Sequence, residues 1–272
     1  MQLSKLENNA YETIRKNAFS VFKINDLCLL MNIKKTKAYN IIKSLKKKNA
    51  IKKIGKGFFA LEDSEDFIIG TSINYPSYIS FWSALNYYGF SDQNPKKIFI
   101  ATSKYSKDIG NFKYITLSKK RFFGYVRNGV KTAPFRVLHF GTSKNPNKPR
   151  TKMGDTTQGF FDVKIGQITI AEKEKAIIDS LLFPKYAGGI KEITKCLKNS
   201  LNEINIDKLI DYAIKVKSKA ILRRMGFILE NLTGKKLERL RKKIGKGYEL
   251  LDPSLKRKNN LNHRWLLDIN AQ

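Results

Sequence analysis

The chain has 272 residues, with 53 lysines and arginines against 23 acidic residues, a net charge of +30 and a pI near 10.0. Hydrophobic residues make up 42% and aromatic residues 11%, enough to form buried cores, which argues against wholesale disorder. So large a positive charge attracts polyanions over a Debye length of about 8 Å, and it predicts a nucleic-acid partner. The alternative is compositional drift towards Lys, Asn and Ile, although drift should raise glutamate together with lysine.

The cysteines and the first residues indicate the cellular compartment. Cys28 and Cys196 lie far apart without metal-ligand spacing, and we expect both to act as small hydrophobic residues in a reducing compartment. The first residues lack the apolar core of a signal peptide, and no apolar run reaches the roughly 18 residues of a membrane span. We therefore expect a soluble, cytoplasmic protein with no membrane partner.

Two helices are predicted at the start of the chain. Apolar residues recur at helical spacing over about 4–16, and a short extended piece follows at 20–23. Asn25 is a favourable N-cap for the helix DLCLLM. Asn32 tolerates the left-handed conformation and predicts a tight turn, with Ile33 packed into it.

A third helix and a hairpin follow this turn. The pattern predicts a helix over about 35–49, and AIKKIGKGFFAL predicts two short strands joined by a turn at Gly55-Lys56-Gly57. A helix, a helix-turn-helix and a two-stranded wing occur in this order in winged helix-turn-helix domains. We therefore predict a winged helix-turn-helix DNA-binding domain over 1–61.

The third helix has one apolar face and one cationic face. Ala38, Ile41, Ile42 and Leu45 recur at the spacing of a buried face, whereas segment 32–61 as a whole holds ten lysines and no carboxylate. A solvated helix face is usually mixed in sign, because Glu–Lys pairs stabilise it and like charges repel. The missing counter-charges are therefore predicted to be DNA phosphates. The alternative for this domain is a module that docks a protein.

Individual residues of this surface suit different contacts with a duplex. Asn40 can pair bidentately with adenine, and Tyr39 and Thr36 can meet a thymine methyl group or a phosphate. The lysines, Lys48 among them, suit phosphate contacts, which position a protein without specifying sequence. The predicted DNA-binding residues are Lys34, Lys35, Thr36, Lys37, Tyr39, Asn40, Lys43, Lys46, Lys47, Lys52, Lys53 and Lys56.

A change of composition after the hairpin marks a second domain. A cluster of acids opens a linker predicted over 62–74, and a larger mixed α/β domain with a helical C-terminal part is predicted over 75–272, so the fold class is α+β. Pro76 is expected to open the helix PSYISFWSALNYYG, and the polar section 141–158 is predicted to be a loop. The predicted strands are KKIFIAT, NFKYITL, RFFGYV, FRVLHF and FFDVKIGQITI. The predicted helices are AEKEKAIIDSLL, GIKEITKCLKN and segments 207–216, 218–232 and 235–244.

A family resemblance is carried by five segments: YISFWSALNYYGF at 78–90, KKIFIATSK at 96–104, RFFG at 121–124, ITIAEKEKAIIDSLLFPKYAGGIKE at 168–192 and RWLLDIN at 264–270. In this order, behind a predicted winged helix domain, they resemble the AbiEi-type antitoxins, transcriptional regulators of bacterial and archaeal phage-defence systems. The resemblance implies repression of the chain's own operon through inverted repeats in the promoter. It also implies that 75–272 is an antitoxin domain that counteracts a nucleotidyltransferase-like toxin. A homodimer or paired monomers would read the repeat.

The resemblance carries over a small set of residues, for which structural or partner-binding roles are expected. Glu174 and Asp179 are predicted to fix their helix against a neighbouring strand, and Trp82 to anchor the core. Lys175 shares a helical stripe with Ile178, and Asp179 is placed elsewhere on the helix. The matched residues are Trp82, Ala171, Glu174, Lys175, Ala176, Asp179, Gly188 and Gly189.

A second basic surface is predicted on the C-terminal helices. It could be a plain solvated face, or it could contact DNA flanks or an acidic toxin surface, and both interpretations stay open. Its members are Arg223, Arg224, Arg239, Arg241, Lys242 and Lys243.

No catalytic centre, metal site or cofactor is predicted. The two histidines, His139 and His263, have no neighbouring cysteine that would suggest a metal site. The enzymatic alternative is a Mg-dependent nuclease, in which Asp155 and Asp162 would hold Mg²⁺ and Lys164 would lie near the attacked phosphate. An ordinary charge pair on an edge strand explains the same residues, so we expect a protein without enzymatic activity.

Overall fold

The structure, a computed structural model, describes residues 2–17, 19–129, 134–136, 162–164 and 167–271. The chain divides into two units, a first of residues 1–69 with 129–167 and a second of residues 70–128 with 168–272. Helices and sheets occur together, so the fold class is mixed α+β, as predicted. Within the described ranges, no helix combines the length and the apolar character needed to cross a membrane. The loop predicted at 141–158 lies outside the described residues.

Three helices precede a two-stranded hairpin in the first unit. The helices are α1 (Lys5–Lys16), α2 (Ile24–Met31) and α3 (Lys35–Lys47), and the antiparallel strands are β1 (Ile51–Gly55) and β2 (Phe58–Leu61). These bounds agree with the predicted ones to within a few residues. Apolar side chains from all five elements form one buried core, which includes Ala10, Ile14, Leu27, Ala38, Ile42, Leu45, Ile51 and Phe59.

The turn between α2 and α3 forms as predicted, but α2 begins earlier. Asn32 adopts the left-handed conformation, with a φ of 52°. Asn25, the predicted N-cap, lies inside the helix. The reason is that the carboxylate of Asp26 accepts a hydrogen bond from the backbone N–H of Lys23 at 2.7 Å and so caps the helix two residues earlier. The extended piece predicted at 20–23 pairs with the hairpin through one residue.

Glu7 of α1 neutralises part of the lysine-rich segment. Its carboxylate accepts hydrogen bonds from Lys48 Nζ at 2.6 Å, from the hydroxyl of Ser44 and from the backbone N–H of Ser4 at 2.7 Å. These donors, Lys48 foremost, lower the pKa of Glu7 from the ordinary 4.5 to about 2. Because the bonds tie α1 to the end of α3, Lys48 is a structural cation of this unit.

Glu7→Gln is expected to weaken the acid sensitivity of the N-terminal helices. The folded-state pKa of Glu7 lies below its unfolded value, so its contribution to stability is present above pH 4.5 and is lost as the pH falls towards 2. Hydrogen exchange of the α1 and α3 amides from about pH 6 to about pH 3 should show a smaller loss of protection in the variant than in the native chain. Glu12→Gln, which changes another carboxylate of α1, is the control. Equal losses in the native chain and in Glu7→Gln would contradict this role of Glu7.

Two segments near the boundary between the two units differ from the prediction. The linker predicted at 62–74 contains a helix, α4 (Asp66–Ile73), whose apolar side chains are partly or fully buried. The helix predicted to begin at Pro76 is instead a strand, β3 (Ser77–Ile79), followed by the shorter helix α5 (Phe81–Tyr87). Since β3 is hydrogen-bonded to a strand on each side, pairing with distant segments decides its conformation.

A six-stranded mixed sheet lies in the second unit. The strands that follow β3 in the chain, not all of which join this sheet, are β4 (Ile98–Thr102), β5 (Lys107–Ile109), β6 (Phe112–Thr116), β7 (Tyr125–Gly129), β8 (Pro134–Arg136), β9 (Asp162–Lys164) and β10 (Gln167–Ala171). Among the described strands, β8 and β9 pair with each other and belong to the first unit, and the six-stranded sheet has the order β5-β6-β4-β3-β10-β7. β3 runs antiparallel to β4 and parallel to β10, with Ile79 opposite Ile170.

Helices cover the C-terminal part of the second unit, as predicted. They are α6 (Lys173–Leu182), α7 (Gly189–Ser200), α8 (Ile206–Val216), α9 (Lys219–Thr233) and α10 (Glu238–Arg241). Three short strands follow, namely β11 (Glu249–Leu250), β12 (Leu261–Asn262) and β13 (Leu267–Asp268). α6 packs against α5, α8 and α9, and nearly all of its side chains are buried. Both cysteines pack as predicted, Cys28 against the N-terminal core and Cys196 buried on α7.

Candidate functional site

The face of α3 opposite its buried side is polar and exposed. Thr36, Asn40, Lys43 and Lys47 follow one another there at helical spacing. Tyr39 beside them is 57% exposed, although a large aromatic side chain normally gains by burial. All predicted residues of the helix and of its N-cap are exposed, namely Lys34, Lys35, Thr36, Lys37, Tyr39, Asn40, Lys43, Lys46 and Lys47.

The hairpin contributes fewer free cations than predicted. Lys53 and Lys56 are exposed. Lys52 is half-buried, and its Nζ lies 3.0 Å from Oδ1 of Asp66 at the start of α4. Two of the segment's ten lysines, Lys48 and Lys52, are thus paired with acids of neighbouring helices. The other eight have no ion pair with any residue that the structure describes.

Lys175 and Asp179, predicted to lie apart on α6, form a buried ion pair. That prediction is wrong because residues four apart share one helix face. Their side chains are 0% and 1% exposed. Asp179 Oδ2 accepts hydrogen bonds from the hydroxyls of Tyr78 at 3.0 Å and Ser80 at 2.8 Å, which fixes α6 to β3 and its following residue, as predicted for Asp179. We call these four residues the α6 polar cluster. Burial lowers the pKa of Lys175, and the nearby charge of Asp179 offsets only part of this shift. Ala176, between them in the sequence, is fully buried.

Glu174 fixes α6 to a helix, whereas a strand was predicted. Its Oε1 accepts a hydrogen bond from the backbone N–H of Asn205, the N-cap of α8, at 2.9 Å, and its Oε2 lies 3.2 Å from Lys208 Nζ. Burial raises the pKa of Glu174, but these donors outweigh it and the net shift is downward. Ala171 ends β10, and its carbonyl accepts a hydrogen bond from the hydroxyl of Tyr88 at 2.7 Å. Ala171, Glu174 and Asp179 therefore form hydrogen bonds that hold α6 and β10 to neighbouring elements of the second unit.

Trp82 and the glycine pair meet at the start of α7. Trp82 is half-buried, and its Nε1 donates a hydrogen bond to Ser91 Oγ at 3.0 Å. Gly188 and Gly189 are left-handed, with φ of 76° and 83°. A Cβ at Gly188 would lie 3.0 Å from the side chain of Glu192 and 3.2 Å from the ring of Trp82, so this position needs glycine for two reasons.

Gly188→Ala is expected to destabilise the second unit by about 2–3 kcal/mol, through left-handed strain of about 1–2 kcal/mol and crowding against Glu192 and Trp82. Gly234→Ala is the matched control, because Gly234 has a φ of 69° but no heavy atom within 4 Å of its missing Cβ. The free energy of unfolding of Gly234→Ala should therefore fall only by the left-handed strain of about 1–2 kcal/mol. Urea unfolding followed by far-UV circular dichroism gives both values, and equal losses would show that the crowding at Gly188 costs nothing.

In the segment 264–270, the side chain of Trp265 packs onto α9. The side chain is 1% exposed, and its Nε1 donates a hydrogen bond to Glu230 Oε2 at 2.8 Å. Arg264 donates two hydrogen bonds of 2.7 Å to the same carboxylate. A Cβ at Gly226 would overlap the Trp265 ring, so the absent side chain of Gly226 makes room for the indole.

Two members of the predicted second basic surface are buried. Arg223 and Arg224 are 1% and 5% exposed, and their guanidinium groups donate to backbone carbonyls, among them Lys246 at 2.8 Å and Leu181 at 3.0 Å. Their assignment to a surface is therefore wrong, because the forked donors of arginine satisfy carbonyls inside the unit. The remaining members are partly or fully exposed, and they are Arg239, Arg241, Lys242 and Lys243.

The residues considered for catalysis give no assembled centre in the part of the chain that the structure describes. Within it, no group of three or more His, Cys, Asp or Glu side chains is placed to hold a metal ion. Asp162 and Lys164 lie on β9, whereas Asp155 and His139 lie outside the described residues. His263 Nδ1 is hydrogen-bonded to a tyrosine hydroxyl at 2.6 Å. The nuclease alternative therefore stays a prediction.

Comparison with known proteins relates the chain to a solved structure through its fold. No family model matches the chain, and no curated protein matches it. The crystal structure of the RV2827C protein from Mycobacterium tuberculosis superposes with a TM-score of 0.58 over 98% of this chain and 92% of that one, at 11% sequence identity. At this identity the likeness shows a shared fold alone.

Proposed function

We propose that α1, α2, α3 and the hairpin act as a winged helix-turn-helix domain, and that the protein is a DNA-binding transcriptional autorepressor. The observation that supports this most is the exposed face of α3, whose lysines have no acidic partner among the described residues. A protein gains nothing in stability from such a face, since like charges on a helix repel. In this proposal DNA phosphates supply the missing counter-charges, so the unpaired lysines contribute to the free energy of binding.

In this proposal α3 enters the major groove. Its 13 residues make a helix about 20 Å long, and the groove, about 12 Å wide, admits one helix. Asn40, in the middle of the exposed stripe, reaches base edges and can accept from and donate to adenine. Lys53 and Lys56 on the hairpin then contact the flanking backbone.

The second half of the proposal is antitoxin activity, and it rests on the resemblance to the AbiEi-type antitoxins. The second unit would counteract a nucleotidyltransferase-like toxin in the cytoplasm. The first unit would bind inverted repeats in the promoter of the shared operon. Because one short helix reads few base pairs, two copies on the repeat would supply the selectivity.

Binding to the chain's own upstream DNA tests the repressor role. Affinity should fall steeply with salt, with log K declining by about 0.9 per phosphate neutralised for each unit of log salt concentration. A scrambled duplex of equal length is the control for sequence choice. Absent or salt-insensitive binding would overturn the proposal and favour the alternative that the domain docks a protein.

Co-expression with the product of the neighbouring gene tests the antitoxin role. A neighbouring nucleotidyltransferase-like protein should arrest growth when expressed alone and should not do so together with this chain. Growth arrest that persists in the presence of well-expressed chain would remove the antitoxin half and leave the repressor half standing.

A further inference from the structure

An open cavity of about 510 Å³ lies in the second unit. One wall is the 3₁₀ turn at Lys119–Arg121 with Ser118 before it, and the other is the end of α8 with Lys217 after it. Arg121 joins the walls, because its Nε donates a hydrogen bond to the carbonyl of Val216 at 3.3 Å.

Among the residues that the structure describes, four cations and one hydroxyl line this cavity. Lys120, Lys215 and Lys217 are exposed, and Arg121 is half-buried. None of the four has an ion pair with a residue that the structure describes. Lys215 Nζ lies 4.2 Å from the ring centre of Phe123, an arrangement that orients the ammonium group without neutralising it.

Capping of α8 explains only part of this charge. Cations near a helix C-terminus interact favourably with its free carbonyls. Arg121 does so through Nε, and its two Nη groups have no hydrogen bond to a residue that the structure describes. Lys217 sits at the C-cap with a left-handed φ of 54°. Lys215 also lies in the last turn of α8. A helix C-terminus carries only about half a negative charge, however, so four cations exceed what the helix end requires.

We propose that this cavity, the basic pocket (Ser118, Lys120, Arg121, Lys215, Lys217), binds a small ligand that carries two or three linked phosphate groups. Each phosphate group brings about one to two negative charges, which four cations match. The two Nη groups of Arg121 suit bidentate contact with one phosphate, and the lysines supply charge to its neighbours. The proposal is independent of the DNA-binding role of the first unit.

The concave shape favours a small ligand over a duplex. Pockets of about 300–1,000 Å³ are typical of small-molecule sites, and the basic pocket falls in that range. Besides these five residues, the described lining of the pocket holds the apolar Val216. The polyphosphate portion is therefore the part of the ligand that the described side chains recognise.

Calorimetric titration of the full chain with inorganic triphosphate, at physiological ionic strength, tests the proposal. We compare the native chain with Lys120→Gln/Lys215→Gln, which removes two charges and leaves the bond from Arg121 to Val216 in place. The matched control is Lys191→Gln/Lys198→Gln, which removes two exposed charges from α7. The pocket variant should bind triphosphate at least about tenfold more weakly, whereas the control should equal the native chain.

Three results would overturn the proposal. The first is the absence of triphosphate binding by the native chain, and the second is equal weakening in both double variants, which would indicate attraction to net charge. The third is competition between triphosphate and duplex DNA together with weaker DNA binding by the pocket variant, which would assign the pocket to the phosphates of DNA. Circular dichroism of both variants checks that they fold, so a loss confined to the folded pocket variant supports the site.

Discussion

Asp179→Ala is expected to destabilise the second unit by about 3–5 kcal/mol, a large part of the stability of an ordinary domain. The substitution leaves the Lys175 ammonium buried with no carboxylate beside it, since the side chain of Lys175 is 0% exposed. It also removes the acceptor of the hydroxyls of Tyr78 and Ser80. Loss of a buried charge partner costs far more than loss of an exposed one, because water cannot replace it.

Urea unfolding followed by tryptophan fluorescence measures this loss. Both tryptophans of the chain, Trp82 and Trp265, lie in the second unit, so the signal reports that unit. Glu203→Gln is the control, because its ion pair with Lys173 is partly exposed and should contribute less than about 1 kcal/mol. Lys175→Met combined with Asp179→Leu should recover much of the loss, since an apolar pair needs no counter-charge. A loss below about 1 kcal/mol in Asp179→Ala would show that the pair is not needed for stability.

Lys43→Glu/Lys47→Glu is expected to lower the affinity for the upstream duplex by about a hundredfold, because each lysine contributes one charge-assisted phosphate contact. The slope of log K against log salt concentration should also fall by about two. Both side chains lie on the exposed stripe of α3 and have no ion pair among the described residues, so the fold should tolerate the change. Electrophoretic mobility shifts at several salt concentrations give both quantities.

Two further variants separate groove contact from general charge. Lys191→Glu/Lys198→Glu changes the net charge equally but on α7, and its affinity should stay within about threefold of the native value. Asn40→Ala should leave binding to scrambled DNA unchanged and reduce the preference for the operator by about tenfold, the effect of losing one bidentate base contact. If Lys191→Glu/Lys198→Glu weakens binding as much as Lys43→Glu/Lys47→Glu does, the lysines of α3 act only through net charge and do not contact the duplex. If Asn40→Ala keeps the full preference, Asn40 does not read a base.

The first unit was predictable because its order depends on contacts that are local in sequence. Periodic apolar positions located α3, and the left-handed Asn32 located the turn before it. The main error concerned charge partners. Glu7 and Asp66 lie outside the lysine-rich segment, and each neutralises one of its lysines across the fold. The segment therefore has less free charge than its own composition suggests.

The second unit was less predictable because its elements depend on distant partners. The residues of β3 were predicted to be helical, because the local sequence does not indicate that this segment pairs with β4 and β10. Tyr78 and Ser80 lie 101 and 99 residues from Asp179, so only the folded sheet brings the three together. Arg223 and Arg224 are expected at a surface because of their charge, but backbone carbonyls of other segments, among them Lys246 and Leu181, accept their hydrogen bonds inside the unit.

The packing of Trp265 on Gly226 links two positions that can only evolve jointly. A methyl group at 226 has no space while the indole is present, and a smaller residue at 265 would open a void whose cost rises with its volume. Single steps from either side pass through a destabilised intermediate. Among true relatives of this chain, a residue larger than glycine at 226 should therefore occur together with a smaller side chain at 265.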